Sequence, residues 1–546
     1  MNPHQPPLFE HARVQGGANP DPGRVGGLPG PDGWSRRNWL RLAGVGALAV
    51  ALPTDRRQVA AATGDTAAMH LPLPLVTAPE REPEDDLLTG FKGFGWQSFA
   101  VAEPDGAAVV LGGLGDDAPE VPDDAECRLR LTNSIDVRAE FKIGVRIPGG
   151  EAIGEVDLRF AGLYQVQEIP LTPAQARKVL AEGAELFMAE GPQPTFFFAP
   201  SPEASPAPDP VQLPHVLVAR KGEELKQFEQ RLRGLVMLQG FGWQSGCVSE
   251  GLMDLAEARG DESLFEALDR YQSMYFTERG VFFESPRSRP MRDRVGGVEE
   301  PLPWATLARR QPDHPALRIC AEFLPRSTDS TGALEEDRQM TTEANYTAAY
   351  PGAVLSRVLE RDDLAALALR QLDHRRQSNV HGDRILQRGN RSGQGRLPNW
   401  CRGVCWYYLG IVRTLLALED DDAAADWKPE IQRVAAFLIE HQRDDGLWGN
   451  FIHDPAAVTD TSGSAGVAAA MARACQAGWL GEDALAASRR AMDGLVAKLT
   501  PDGLLGGAAQ SNKGGDGLQR GDYRVLYQMG MGLMAQLLAA LEAVDA

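Results

Sequence analysis

Long apolar runs are scarce in this chain of 546 residues, and after residue 52 none approaches the roughly 20 residues a membrane-spanning helix needs. A soluble mature protein without a stable membrane anchor is therefore expected. Basic residues are in deficit: 55 Lys and Arg stand against 75 Asp and Glu, a net charge of −20. Nucleic acid is excluded as the main partner, because neutralising phosphates demands a basic footprint. An anionic sugar is not excluded, since a local arginine fork can hold one carboxylate. Cysteine is also rare. The six cysteines are scattered at 127, 247, 320, 401, 405 and 475, and only Cys401 and Cys405 approach each other, as C-x3-C without a second pair. None of the nine histidines falls in an HxH or HExxH pattern, so no metal and no cofactor is called for. What is present is a globular balance of 43% hydrophobic and 24% charged residues, in a chain too long for one core.

Residues 1–62 read as an address label. Ser35-Arg36-Arg37-Asn38-Trp39-Leu40-Arg41 precedes a short apolar run, Leu42 to Leu52, and small residues at Val59-Ala60-Ala61-Ala62 suit cleavage. Paired arginines before such a run resemble a twin-arginine export signal. That resemblance implies a translocase partner during export, and a periplasmic or extracellular address. Residues 63–90, rich in Pro and acid, read as a linker, as do residues 201–212 around Ser205-Pro206-Ala207-Pro208-Asp209-Pro210.

Between the linkers, residues 91–200 carry short β-friendly runs such as Cys127-Arg128-Leu129-Arg130-Leu131, whose period of two predicts a half-buried strand. One helix is predicted to start at Leu171-Thr172-Pro173, with Thr172 as cap and Pro173 in its first turn. A small sandwich-like β-rich domain with one helical insertion is expected. From 213 to 546 the period turns helical, with about twelve runs. Ile431, Val434, Ala435, Leu438 and Ile439 form a one-sided stripe, whereas Val404 to Leu418 is apolar nearly all round and belongs inside. Alternating inner and outer helices joined by Asp/Gly turns point to a mainly α protein, an (α/α)6 barrel preceded by the β-rich domain. The hexapeptide Gly93-Phe94-Gly95-Trp96-Gln97-Ser98 recurs as Gly240 to Ser245, but the flanks share nothing and no duplication is inferred.

Asn399-Trp400-Cys401-Arg402-Gly403-Val404-Cys405-Trp406 is similar to the W-x-R-G-x-x-W signature of glycoside hydrolase families 88 and 105, the unsaturated glucuronyl and rhamnogalacturonyl hydrolases. Gln442 to Trp448 resembles their Q-x-x-x-G-x-W turn, and Asp460-Thr461-Ser462-Gly463-Ser464-Ala465 their E-x-S-G-S-A helix start. The likeness runs from about Leu217 to the end. It implies a barrel whose mouth binds a terminal 4,5-unsaturated uronic acid and hydrates its vinyl ether, so an oligosaccharide is the expected substrate. A carboxyl group with a raised pKa is then required.

Arg402 and Trp406 share a helix face, offering a guanidinium for the carboxylate and an indole for the sugar ring. Trp448 stacks on sugar or covers the barrel end, and Asp460 to Ser462 cap a helix, with Ser462 a candidate contact. His381 and Arg388 compete for the position where the resemblance implies a substrate-contacting side chain, and Trp243 of the second hexapeptide opens the region of the first inner helix. The catalytic aspartate of the pattern is missing: in Thr341 to Pro351 the carboxylate is Glu343, on a face with Tyr346 and Tyr350. The second aspartate is missing too, leaving Glu299 and Glu300 as substitutes. A lyase using Asn345, Tyr346 and His381, and a degenerate glycan-binding barrel, are the alternatives.

Overall fold

A computed structural model describes residues 68–79, 95–201, 203–284, 290–334 and 339–545. The expected export signal, its cleavage site and part of the first linker lie outside the described residues. Period-two alternation is realised in strands β1 (Ala68–Pro72), β2 (Leu75–Thr77), β3 (Gln97–Val101), β4 (Val109–Leu111), β5 (Glu126–Thr132), β6 (Glu140–Arg146), β7 (Ala152–Arg159), β8 (Val166–Leu171), β9 (Ala184–Glu190), β10 (Thr195–Ala199) and β11 (His215–Ala219). One antiparallel sheet runs β1-β11-β5-β8 and a second β2-β4-β9-β6-β7, while β3 pairs with β10. Leu129 and Leu131 of the first sheet share one apolar core with Ile143, Val145 and Leu186 of the second. Helix α1 (Pro173–Glu182) follows β8 as expected: the Thr172 hydroxyl accepts from Gln175 N, and the Gln175 side chain accepts from Thr172 N.

The β-rich part spans more of the chain than 91–200. Strands β1 and β2 arise from residues read as linker, and β11 follows the second linker to lie between β1 and β5. Composition misled here because Pro-rich flanks surround short apolar strands whose partners are far away in sequence. The 201–212 segment is also held in place: the Trp96 indole donates to the Pro206 carbonyl at 2.7 Å, and Asp209 and Gln212 cap a single turn.

The twelve helical runs appear as α2 (Glu224–Leu232), α3 (Trp243–Arg259), α4 (Glu262–Ser273), α5 (Leu302–Arg310), α6 (Leu317–Arg326), α7 (Tyr350–Val358), α8 (Asp362–Asn379), α9 (Cys401–Leu418), α10 (Asp421–Glu440), α11 (Thr461–Gln476), α12 (Glu482–Val496) and, after a short α13 (Gly515–Arg520), α14 (Gln528–Asp545). Helix α7 is preceded by a π turn, Asn345–Ala349, in which Tyr350 N–H reaches back to the Asn345 carbonyl; Pro351 has no N–H to offer. Helix α9 is buried on nearly every face. Helices α3, α5, α7, α9, α11 and α14 each pack on the next, and α14 packs on α3, while α4, α6, α8, α10 and α12 lie against their predecessors. The α3–α14 approach is close because a Cβ on Gly532 would run into the Cys247 carbonyl. No described helix is long and apolar enough to cross a membrane.

A buried ionic network ties these six helices together. Glu250 and Asp254 of α3 meet Arg309 of α5, Tyr350 of α7, Arg413 of α9 and Arg473 of α11, and Gln536 of α14 accepts from Arg413 at 3.2 Å. Charges this deeply placed are tolerated only when paired, and removing one partner strands the other.

The described residues from Ala68 onward belong to one compact unit. The face of β5 opposite the sandwich core, expected to be solvated, instead packs on the helical part. Arg130 is fully buried and forks between Asp502 (2.6 Å) and Glu168 (3.0 Å). Next to this pair, His70 Nδ1 and His215 Nε2 are 3.1 Å apart, and His215 Nδ1 donates to the Leu213 carbonyl at 2.7 Å. In the neutral ring that burial favours, His215 Nε2 is then the acceptor. Burial, with Arg130 second, pushes the His215 pKa down to about 4, and burial lowers His70 as well. A folded pKa below the unfolded value of about 6.5 means that the contribution is present above pH 6.5 and lost as pH falls toward 4. Thermal unfolding followed from pH 7 to pH 4 is expected to reveal an acid-side loss of about 3 kcal/mol from His215, which His215→Gln removes. Stability that is flat across that window would refute this reading.

Candidate functional site

A cavity of about 1060 Å³ opens where the inner helices begin. Glu343, Arg388 and Arg402 reach it through one local design. Strand Met340–Thr341 pairs with Arg384–Gly389, setting Thr341 opposite Arg388, and that strand pairs in turn with Gly395–Pro398, setting Arg388 opposite Arg396. Asn399, at φ +51°, ends the hairpin; its side-chain oxygen accepts from Ile385 N at 2.7 Å, and α9 starts two residues later. Glu343 is 6% exposed, and the Gln387 amide donates to both its oxygens, at 2.8 and 2.9 Å, which fixes the carboxyl in direction.

The second carboxyl group comes from the 296–300 loop. Thr347 Oγ1 lies 2.6 Å from the Val298 carbonyl and 3.0 Å from the Glu343 carbonyl, binding this loop to the π turn. Glu300 is 5% exposed and accepts from Gly296 N. Burial raises its pKa, against the lowering by that N–H and by Arg294. Glu299 is half-buried on the same wall, close enough to Lys513 to raise the lysine's pKa, although burial dominates and lowers it.

Arg402 is 1% exposed, and its guanidinium lies 4.6 Å from the centre of the Trp400 ring. Nη1 donates to Ser462 Oγ (3.1 Å) and to the Ala509 carbonyl, and Nη2 donates to the Gln510 carbonyl at 2.7 Å. Its Nε–H is buried without a partner. A buried donor left unmade costs about 1–3 kcal/mol. Trp406 stands beside Trp243, ring centres 5.7 Å apart, and both line the cavity.

The structure thus brings Glu343, Glu299, Glu300, Arg402, Trp406, Arg388 and Trp243 to one cavity, and it sets four candidates apart. Tyr346 is fully buried, stacked between Trp406 (5.9 Å) and Tyr350 (6.0 Å), and its hydroxyl bonds Gln536 at 3.2 Å. Trp448 is fully buried, with its indole donating to the Leu438 carbonyl at 2.8 Å, so it seals a helix end. Ser462 is buried and serves Asp460, the N-cap of α11, and Arg402. His381 lies in the short hairpin Val380–His381/Arg384–Gly389, its Nε2 3.1 Å from the Ser378 carbonyl. With Asn345 fully buried as well, none of the three residues of the lyase alternative lines this cavity.

Sequence reasoning missed Arg138, Arg396, Trp400 and Lys513, which also line the cavity. Trp400 was visible inside the Asn399–Trp406 motif, and Lys513 in a Gly-rich turn. Arg138 belongs to the β-rich part, and no local pattern connects it with residues far along the chain.

Residues 353–545 match the family model described as Glycosyl Hydrolase Family 88. Protein Atu3128 of Agrobacterium fabrum is 34% identical over 127 residues, which are 22% of this chain and 54% of that protein. The chain therefore spans about half the length of the curated relatives it matches. A possible member of the GH105 family from Salmonella enterica superposes with a TM-score of 0.50 at 20% identity, covering 56% of this chain and 84% of that one. A family 105 glycoside hydrolase from C. acetobutylicum does so at 0.50 with 14% identity, covering 60% and 100%. The C-terminal 353–545 region thus carries the Glycosyl Hydrolase Family 88 match, on a helical fold shared with structures ascribed to family 105.

Proposed function

We propose that this chain is a glycoside hydrolase of the family 88 and 105 kind, whose (α/α)6 barrel removes a terminal 4,5-unsaturated uronic acid from an oligosaccharide. The twin-arginine pattern at residues 35–41 supports export to the periplasm or beyond. The observation that carries the catalytic reading is the meeting of two buried carboxyl groups, a buried arginine and three indoles at one cavity.

Arg402 holds the uronate carboxylate through its guanidinium, and Trp406 with Trp243 offers apolar faces to the ring. Glu300, whose burial keeps a proton bound above the ordinary glutamate range, donates to C4. The C4=C5 π pair forms the new C4–H bond, and the cation left at C5 is shared with the ring oxygen. Water adds at C5, and its proton passes to Glu343, which Gln387 holds in direction. The hemiketal opens by breaking the C5–O5 bond. C1 is left as a hemiacetal, which collapses to an aldehyde and frees the aglycone.

Incubation with 4,5-unsaturated uronosyl disaccharides tests the reading, because hydration consumes the ultraviolet-absorbing double bond. Loss of absorbance with release of the reducing sugar is expected. A gain of absorbance on saturated polyuronides would instead mean a lyase, and no change on either would leave a glycan-binding barrel.

A further inference from the structure

The backbone that Arg402 grips is itself held from two sides. Its Nη groups donate to the carbonyls of Ala509 and Gln510, so the direction of the guanidinium depends on where that short segment lies. From the helical part, Ala509 N donates to Asp460 Oδ1 at 2.9 Å. Gln519 Nε2 donates to the carbonyls of Gln510, at 2.9 Å, and Ser511, at 3.0 Å. From the β-rich part, Gln165 Oε1 accepts from Gln510 Nε2 at 3.1 Å. Both glutamines are buried, so bulk water does not compete for this bond.

Gln165 is built as an anchor. Its Oε1 also accepts from Gly162 N at 2.9 Å, and its Nε2 donates to the Leu526 carbonyl at 3.3 Å. Its backbone is fixed as well: its carbonyl accepts from Asn133 N at 3.0 Å, and Tyr164 N donates to the Asn133 carbonyl at 2.9 Å. Phe160 and Tyr164 stand at φ +49° and +65°, left-handed backbone that bulky side chains rarely adopt. Such strain persists where the surroundings over-determine it, and here the loop brings Gln165 against a partner 345 residues along the chain. A second link, Asp136 with Lys513, ties the same segment just beyond Ser511.

We propose that Gln165 is a positioning residue for substrate binding: through Gln510 it fixes the segment whose carbonyls orient the Arg402 guanidinium toward the terminal uronate. Gln165 does not line the cavity, so it acts through Arg402 and not on the sugar. The inference rests on Arg402 holding the uronate carboxylate.

Gln165→Met and Gln510→Met break the link from either side with side chains of similar length. Gln510→Met leaves in place both carbonyls that Arg402 uses, and it carries the same comparisons should Gln165→Met fail to fold. On an unsaturated uronosyl disaccharide each variant is expected to raise KM about fivefold with kcat within twofold, the size of one weakened hydrogen bond to the carboxylate. A loss carried by kcat with KM unchanged, as a merely structural role would give, overturns the proposal. Wild-type constants in both variants overturn it as well. In an Arg402→Lys background Gln165→Met should cost less than a further twofold, because the group it positions is gone; a full additional loss refutes the link. If wild type turns over no unsaturated uronide, the catalytic reading fails on its own. Denaturant unfolding of wild type, Gln165→Met, Arg402→Lys and the double variant then decides for Gln165. A destabilisation in the double variant smaller than the two single effects combined supports the link, and additive destabilisation refutes it.

Discussion

Glu300→Gln is expected to lose about 10²–10⁴-fold in kcat, the range for removing a positioned acid. The amide keeps the shape of the side chain and still fills the space against Gly296, so folding should survive. The argument is chemical. A proton donor must hold its proton near the working pH, and among the cavity carboxyls burial raises the Glu300 pKa above its usual 4.5. The pH profile supplies a second readout. Wild-type kcat/KM should fall as pH rises through the Glu300 pKa, because the proton that C4 requires is then gone, and that limb should vanish in Glu300→Gln. Glu343→Gln should also lose activity while keeping the limb, since Glu343 receives the water proton. If Glu300→Gln retained wild-type turnover and Glu343→Gln lost the basic limb, the two roles would be exchanged.

Arg402→Lys is expected to lose about 100-fold or more in kcat/KM. Lysine keeps the charge but not the planar fork, and each hydrogen bond to a charged group is worth about 1.5–3 kcal/mol. Three of the arginine's five N–H donors are spent on Ser462, Ala509 and Gln510, which hold the guanidinium in one orientation and leave the Nε–H and one Nη2–H. Some stability should be lost as well, because the Ala509 and Gln510 carbonyls lose their donors. Thermal unfolding measured beside the kinetics separates the two effects. A folded Arg402→Lys enzyme with unchanged KM and kcat would remove the carboxylate fork from the mechanism.

Much of the site was legible because it lies in short segments with strong local patterns. Arg402 and Trp406 sit one turn apart at the start of an apolar helix, and Glu343 opens another. The errors share a cause. Tyr346 was assigned to the cavity from its place on a helix near Glu343, but the π turn and the stack with Trp406 and Tyr350 turn it into the core. Trp448 and Ser462 matched motifs whose residues here support neighbours instead of facing the cavity. The ionic network of Glu250, Asp254, Arg309, Arg413 and Arg473 gave no signal, since its members are isolated charges on separate helices.

By itself the sequence determined the local elements: the Thr172 cap, the one-sided stripe of α10, the all-apolar α9 and the change of period after the Pro-rich segment. These depend on side-chain spacing along a few turns of backbone, and every such interaction is contained in the segment. Only the tertiary structure decided what those segments meet. The repeated hexapeptide makes the point: the described residues of its first copy, Gly95–Ser98, lead into strand β3, whereas Trp243-Gln244-Ser245 opens helix α3. Trp96 packs on Tyr164 and Phe198, while Trp243 packs on Trp406 and Tyr527. The weak propensity of so short a stretch is overridden by burial against partners far along the chain. For the same reason Arg130 came to face Asp502, and Arg138 came to line one cavity with Arg402.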